Sequence, residues 1–289
     1  MKRSILILLF LITSVTSYGV SMDQMQFHCE NDTIKITQLL VDGAAMQESS
    51  YNALTNYYAM QLLETPYVAN TLNGETEMLS INIHQLDCTT FMETLIALSI
   101  TTKDGKTSWR DYANNLERIR YRNGIMDGYA SRLHYISDWV VNNFGRGIIK
   151  EVTGEFAKST YKIITLNFMT THRDSYPALA DEEVYEQISS VEDNYRTFKM
   201  PIILKKYLVL KYVWEDLREG DLIALTTDKV KGLDATHVGI VHMVDGVPHL
   251  LHASSKSSNM RVVIDPETLP EMIRKSKSNG IRVFRIANP

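Results

Sequence analysis

The 289-residue chain has only two cysteines, Cys29 and Cys88, and no internal repeat, low-complexity tract or linker-like stretch. So few cysteines exclude a disulfide-dense scaffold, and the missing linkers argue for one continuous fold. A basic stripe is missing too: 30 lysines and arginines stand against 34 acidic residues, a formal charge of −4, which excludes no enzyme but gives nucleic acid little to hold. Beyond residue 12 no apolar run approaches the roughly 18 to 20 residues that a membrane-spanning helix needs.

What the N-terminus does have is Lys2 and Arg3, an apolar run to Ile12, and small residues with Ser17 and Gly19 at an A-x-A-like spacing. That is the layout of a secretory signal peptide. Residues 1–19 are therefore expected to be removed, leaving 20–289 as a single catalytic domain, secreted across the inner membrane to the periplasm, with no integral membrane segment. An uncleaved anchor is the alternative. Export to an oxidising compartment also makes a Cys29–Cys88 disulfide a reading to test. The two settings differ, however: Cys29 sits in polar Gln26-Phe-His-Cys-Glu-Asn31, whereas Cys88 lies where an alternating segment meets a helix.

Patterning predicts helices first and strands later, an α+β fold. Asp32 is placed to cap a helix through Val41, and Ser49 or Ser50 another that ends before Pro66. Glu77 to Ile83 reads as a short strand, and Thr89 to Ile100 as a helix with Phe91, Leu95 and Leu98 on one face, so Cys88 falls at a helix N-terminus. A helical insertion over about 105–200 is expected, with helices at Ser108–Arg120, Ala130–Phe144 and Asp181–Phe198, and one or two strands somewhere in 150–179. An antiparallel sheet over about 220–287 follows, with Pro266 and Glu267 opening a helix before the last strand.

The chemistry emerges from one hairpin. Asp245-Gly246 between alternating apolar runs signals a type I′ turn, which needs positive φ at both central residues. That turn pairs Val244 with Val247, His242 with His249, and Gly239 with His252. His237, Gly239 and Val241 then share a face with Leu250 and His252, while His242 and His249 point the other way. The missing side chain of Gly239 leaves His252 room to lean toward His237. A thiol at a helix N-terminus, Cys88, has its thiolate favoured by unpaired amides and the helix dipole. Cys88 is therefore the candidate nucleophile, His237 its base and His252 the group that orients the base. The backbone amide of Cys88 is a candidate donor to an oxyanion. Zinc held by Cys88, His237 and His252 is the competing use of these atoms, disfavoured because no carboxylate or further cysteine stands at a usual ligand spacing.

These residues resemble the NlpC/P60 cysteine peptidases and amidases, through Leu86-Asp-Cys-Thr-Thr-Phe-Met-Glu93, Thr236-His-Val-Gly-Ile240 and Leu251-His-Ala-Ser254. The chain is more similar still to the N-acetylmuramoyl-L-alanine amidase-like (DUF1460-like) branch, in Tyr121-Arg-Asn-Gly124, Gly128-Tyr129, Arg132-Leu-His-Tyr135, Asp138-Trp139, Gly220-Asp-Leu-Ile223 and Gly232-Leu-Asp-Ala-Thr-His-Val-Gly239. The resemblance covers roughly 45–287 and implies a papain-like core, the roles already given to Cys88, His237 and His252, no metal and no organic cofactor. It also implies a peptidoglycan fragment as substrate, including anhydro forms, cut between N-acetylmuramoyl and L-alanine. The alternatives are an endopeptidase acting on the γ-D-glutamyl–diamino acid bond of the stem, or a non-catalytic peptidoglycan-binding protein. Almost 150 residues separate Cys88 from His237, longer than the common family pattern. Within the insertion Tyr121, Arg122, Tyr129, Arg132 and Trp139 are candidates to stack on sugars and pair with carboxylates, and Asp87 and Thr236 flank the nucleophile and base as further substrate-binding candidates.

Overall fold

The structure, a computed structural model, describes residues 19–287, so the expected leader lies outside the described residues up to Gly19. Its helices are α1 (Asp32–Gly43), α2 (Tyr51–Gln61), α3 (Cys88–Lys103), α4 (Trp109–Arg120), α5 (Ile136–Gly145), α6 (Phe168–Thr171), α7 (Glu182–Asp193), α8 (Lys211–Trp214) and α9 (Leu269–Lys275). The strands are β1 (Met25–Phe27), β2 (Leu79–Ile81), β3 (Ile149–Glu151), β4 (Ser159–Ile164), β5 (Phe198–Leu204), β6 (Leu222–Thr226), β7 (Ala235–Val244), β8 (Val247–Ser254), β9 (Arg261–Thr268) and β10 (Gly280–Ile286). β1 and β2 pair in parallel, and the others form one antiparallel sheet ordered β4-β5-β10-β6-β7-β8-β9, with β3 also on β10. The α+β expectation holds. Among the described residues no helix is long and apolar enough to cross a membrane.

Local capping explains several helix starts. Ser50 Oγ accepts from Ala53 N at 3.2 Å, Ser108 Oγ from Arg110 N at 3.1 Å, and Asp181 Oδ1 from Glu183 N at 2.8 Å, each satisfying an amide that has no intrahelical partner. Asp32 does not cap α1 as expected. Asn31 holds the cap position, and the buried Asp32 carboxylate instead accepts from Cys29 N and Ile83 N. α3 departs from the single apolar face: it is buried continuously from Thr90 to Thr102, because α2, α4 and the sheet pack around it in one core.

The insertion is less helical than its sequence suggests. β4 supplies a strand in the expected 150–179 stretch, β3 straddles its start, and β5 at the end of the insertion was not expected. All three extend the main sheet, and the expected helix from Ala130 starts only at Ile136. Ala130 lies instead in a single 3-10 turn, Tyr129–Ser131, and two backbone ties then hold the chain away from a helix: the Tyr121–Arg132 bridge, and Leu133 N donating to Arg120 O at 3.0 Å. Pro266 and Glu267 stay in β9 rather than opening a helix, and α9 begins at Leu269 with Pro270 in its first turn. β9 is an edge strand, where a missing N–H costs no ladder bond.

Candidate active site

The hairpin forms as its turn dictates. Asp245 and Gly246 have φ of 51° and 76°, and the register pairs Val244 with Val247 and His242 with His249. The ladder stops at Ile240–Leu251, one pair short of the expected Gly239–His252. Beyond it two imidazoles meet: His237 Nε2 lies 2.5 Å from His252 Nδ1, with the rings perpendicular. Gly239 is required here, since a Cβ would come within 2.9 Å of both His252 Cβ and Leu251 O. His242 and His249 take the other face, where His242 Nδ1 donates to Glu219 Oε1 at 2.8 Å and His249 Nδ1 to the Asp265 carbonyl at 2.9 Å.

Cys88 opens α3 directly after its cap. Asp87 Oδ1 accepts from Thr90 N at 2.7 Å and Thr90 Oγ1 accepts from Asp87 N at 2.9 Å, a reciprocal box that fixes the first turn. Cys88, Thr236 and His237 line one cavity of about 110 Å³. The sheet face against α3 is formed by Val238, Ile240, Leu251 and Ala253, whereas Val241 and Leu250 belong to a second core on the opposite side. By strand alternation His237 and His252 leave from that opposite side. His237 lines the cavity with Cys88, and His252 stands behind it, outside the cavity lining.

Burial sets the resting charge states. The Cys88 thiol is pushed up to about 11 by desolvation, with the Asp87 carboxylate adding to the rise and hydrogen bonds from Val238 and Thr89 offsetting part of it. This corrects the expectation of a thiol acidified by the helix end: exclusion of water outweighs the dipole. His237 and His252 both titrate well below ordinary histidine, first through desolvation. Thiol and imidazoles are therefore all neutral at rest. The cysteines are both free, so the Cys29–Cys88 disulfide does not form. Zinc at Cys88 is no better served, because nitrogens 2.5 Å apart leave no space for an ion between them.

Sequence reasoning missed Asp265. Its carboxylate, 1% exposed, lies 3.8 Å from His252 Nε2, a buried nitrogen with no hydrogen-bond partner. Lys256 Nζ donates to the same carboxylate at 2.8 Å, and Glu267 N to its other oxygen at 3.1 Å. The one available signal was an acid directly after the apolar Val262-Val-Ile264 of a strand.

A larger groove of about 390 Å³ adjoins the thiol cavity, and Thr89, Leu133 and His134 line both. Of the substrate-binding candidates, Asp87, Tyr129 and Arg132 line it. Arg132 is held over the Tyr129 ring at 4.8 Å, with Nη1 donating to Leu72 O at 2.8 Å and its buried Nε ion-paired to Glu77 Oε1 at 3.6 Å, beyond hydrogen-bond reach. Tyr121, Arg122 and Trp139 line neither cavity. Tyr121 is buried and donates to Glu77 Oε1 at 2.7 Å, Arg122 is spent in a two-pronged pair with Asp138 at 2.9 and 2.7 Å, and Trp139 is core. Their residue types suit sugars and carboxylates, but the fold uses them internally. His134 and Tyr176, which also line the groove, were not anticipated.

The profile of a family described as AmiA-like, N-acetylmuramoyl-L-alanine amidase-like, matches residues 57–281. An N-acetylmuramoyl-L-alanine amidase from Bacteroides uniformis is similar in structure at TM-score 0.75 and 33% identity, over 82% of this chain and 99% of that one. A candidate xylanase from Bacteroides fragilis is similar at TM-score 0.72 and 38% identity, over 81% and 100% of the two chains. A Legionella pneumophila protein of the DUF1460 family model shares the fold at TM-score 0.66 and 19% identity, over 89% and 95%. No curated protein sequence matches the chain significantly.

Proposed function

The chain belongs to the AmiA-like, N-acetylmuramoyl-L-alanine amidase-like family, and on that premise we propose that it hydrolyses the N-acetylmuramoyl–L-alanine bond of peptidoglycan fragments by cysteine chemistry. The observation that carries the mechanism is the shared cavity of Cys88 and His237, with His237 in turn bonded to His252. We read it as the nucleophile, base and orienting residue that the resemblance to the NlpC/P60 enzymes and their papain-like core implies.

Tautomers follow from the charges at the far end. Asp265, an acceptor only, draws the His252 proton to Nε2; His252 Nδ1 is then bare and accepts from His237 Nε2–H. That leaves His237 Nδ1 unprotonated as the base. It takes the Cys88 proton as sulfur attacks the lactyl carbonyl, and the backbone amide of Cys88 at the start of α3 donates to the oxyanion. The imidazolium returns the proton to the alanine nitrogen, the C–N bond breaks, and a thioester to the muramoyl group remains. Water, deprotonated by His237, then releases the acid and restores the thiol. With thiol and imidazole neutral at rest, proton transfer accompanies attack instead of preceding it.

The groove walled by Tyr129 and Arg132 takes a substrate arm, with the Arg132 charge partly offset by Glu77, whose Oε1 lies 3.6 Å from its Nε. Glycoside hydrolysis, suggested by the Bacteroides fragilis relative's name, fits less well. It uses two carboxylates flanking the bond, whereas of the four groove carboxylates Asp87 caps α3, Glu93 pairs with Arg120, and Glu77 accepts from Tyr121 beside Arg132, which leaves Glu75. The proposed setting is the periplasm, reached through the leader over residues 1–19.

Mass spectrometry of a defined disaccharide-peptide muropeptide tests the bond assignment. Free disaccharide and a peptide beginning with L-alanine are expected; a cut inside the stem assigns the endopeptidase instead, and binding without any cut assigns a non-catalytic role.

A further inference from the structure

The other cysteine stands in a second cluster of donors, away from the proposed catalytic residues. Where the start of α1 meets the loop between β2 and α3, one ligand atom from each of Cys29, Asp32 and His84 lies within 4.8 Å of the others. Asp32 is fully buried and its orientation is fixed, Oδ2 accepting from Cys29 N at 2.8 Å and Oδ1 from Ile83 N at 3.0 Å. Those bonds account for the carboxylate as a structural tie. They leave two groups unexplained: His84 Nε2, a buried nitrogen with no partner, and the free thiol of Cys29.

We propose that Cys29, Asp32 and His84 form a zinc site that clips the N-terminal segment to the loop leading into Cys88. Thiolate, imidazole and carboxylate are a usual zinc donor set. Bonds of about 2.0–2.3 Å place tetrahedral ligand atoms about 3.3–3.8 Å apart, so closing the cluster on the ion needs side-chain movements under about 1 Å. Binding releases the Cys29 proton to solvent, and the resulting thiolate with the Asp32 carboxylate balances the two charges of the ion. That balance is what allows a dication beside Lys35, which feels both Asp32 and Cys29. Water or the neighbouring exposed His28 completes the four ligands. His84 precedes Cys88 by four residues, so the clip steadies the segment that presents the thiol.

The test is cobalt(II) titration of the metal-stripped mature protein, read by absorbance, with zinc-dependent melting in parallel. One equivalent is expected to give a thiolate-to-cobalt charge-transfer band and tetrahedral d–d bands, unchanged in Cys88→Ser and absent in Cys29→Ser. His84→Gln should weaken binding at least about a hundredfold, and zinc should raise the melting temperature of wild type but not of Cys29→Ser. Absence of a thiolate band in wild type overturns the proposal, as does a band that survives Cys29→Ser or disappears in Cys88→Ser. None of these readouts depends on hydrolysis, so they fail or succeed separately from the amidase reading.

Discussion

The β7–β8 hairpin and the inserted region between α3 and β6 use histidines, arginines and aromatics in opposite ways. In the hairpin a two-residue turn fixes the register, and the strands part beyond Ile240–Leu251 where bare Gly239 lets His237 and His252 meet. In the insertion equally suggestive side chains are consumed in buried pairs, Arg122 with Asp138 and Tyr121 with Glu77, and only Tyr129 and Arg132 of the five expected there reach a cavity. Residue type points to chemistry only where local geometry fixes direction.

The largest expected effect breaks the hairpin side. Gly239→Ala places a methyl group 2.9 Å from His252 Cβ and Leu251 O, and should lower kcat/KM at least about a hundredfold, with a stability loss of about 1–3 kcal/mol measured by urea unfolding. Wild-type kinetics in this variant would remove the need for His252 to lean on His237. Arg122→Ala probes the insertion: it leaves the Asp138 carboxylate with Tyr195 as its remaining side-chain donor and should cost about 3 kcal/mol in stability. Its KM for muropeptide should stay within about twofold; a tenfold rise would return Arg122 to the substrate groove.

Asp265→Asn is expected to lower kcat about tenfold with KM little changed, because it loosens the tautomer of His252 without touching the groove. Rescue by Asp265→Glu would support positioning, and a fall confined to KM would contradict it. The smallest effect concerns pH. Burial holds His237 and His252 near 3 and 4, so as pH falls below about 6.5 the unfolded chain binds protons that the folded chain refuses. Their contribution to stability is whole above that pH and is lost progressively toward the folded values. Melting temperature should drop by a few degrees between pH 7 and 5, while the acid limb of kcat/KM lies below 6.5. A kinetic limb at or above 6.5 would show a base more exposed than His237 is here.

The same contrast explains what was legible in the sequence. β8 over 247–254, the turn at Asp245-Gly246 and the cap at Ser50 follow from two- to four-residue rules, and each forms as read. Asp265 was not legible, because its approach to His252 depends on β9 pairing with β8 across a register shift. Nor was β5: with Pro201 and Ile202 side by side, it is a strand because β4 and β10 flank it, whereas β4 falls in the stretch where a strand was expected. The thiol's pKa was misjudged for a similar reason, since a helix end is visible in sequence and the closure of a cavity around it is not.

The account stands on Cys88 as nucleophile, and turnover of a defined muropeptide by folded Cys88→Ala, followed by product mass, tests it most directly. Release of disaccharide should fall by at least about a thousandfold relative to wild type. A variant with a wild-type melting temperature that still releases disaccharide within tenfold of the wild-type rate would contradict cysteine catalysis at this site.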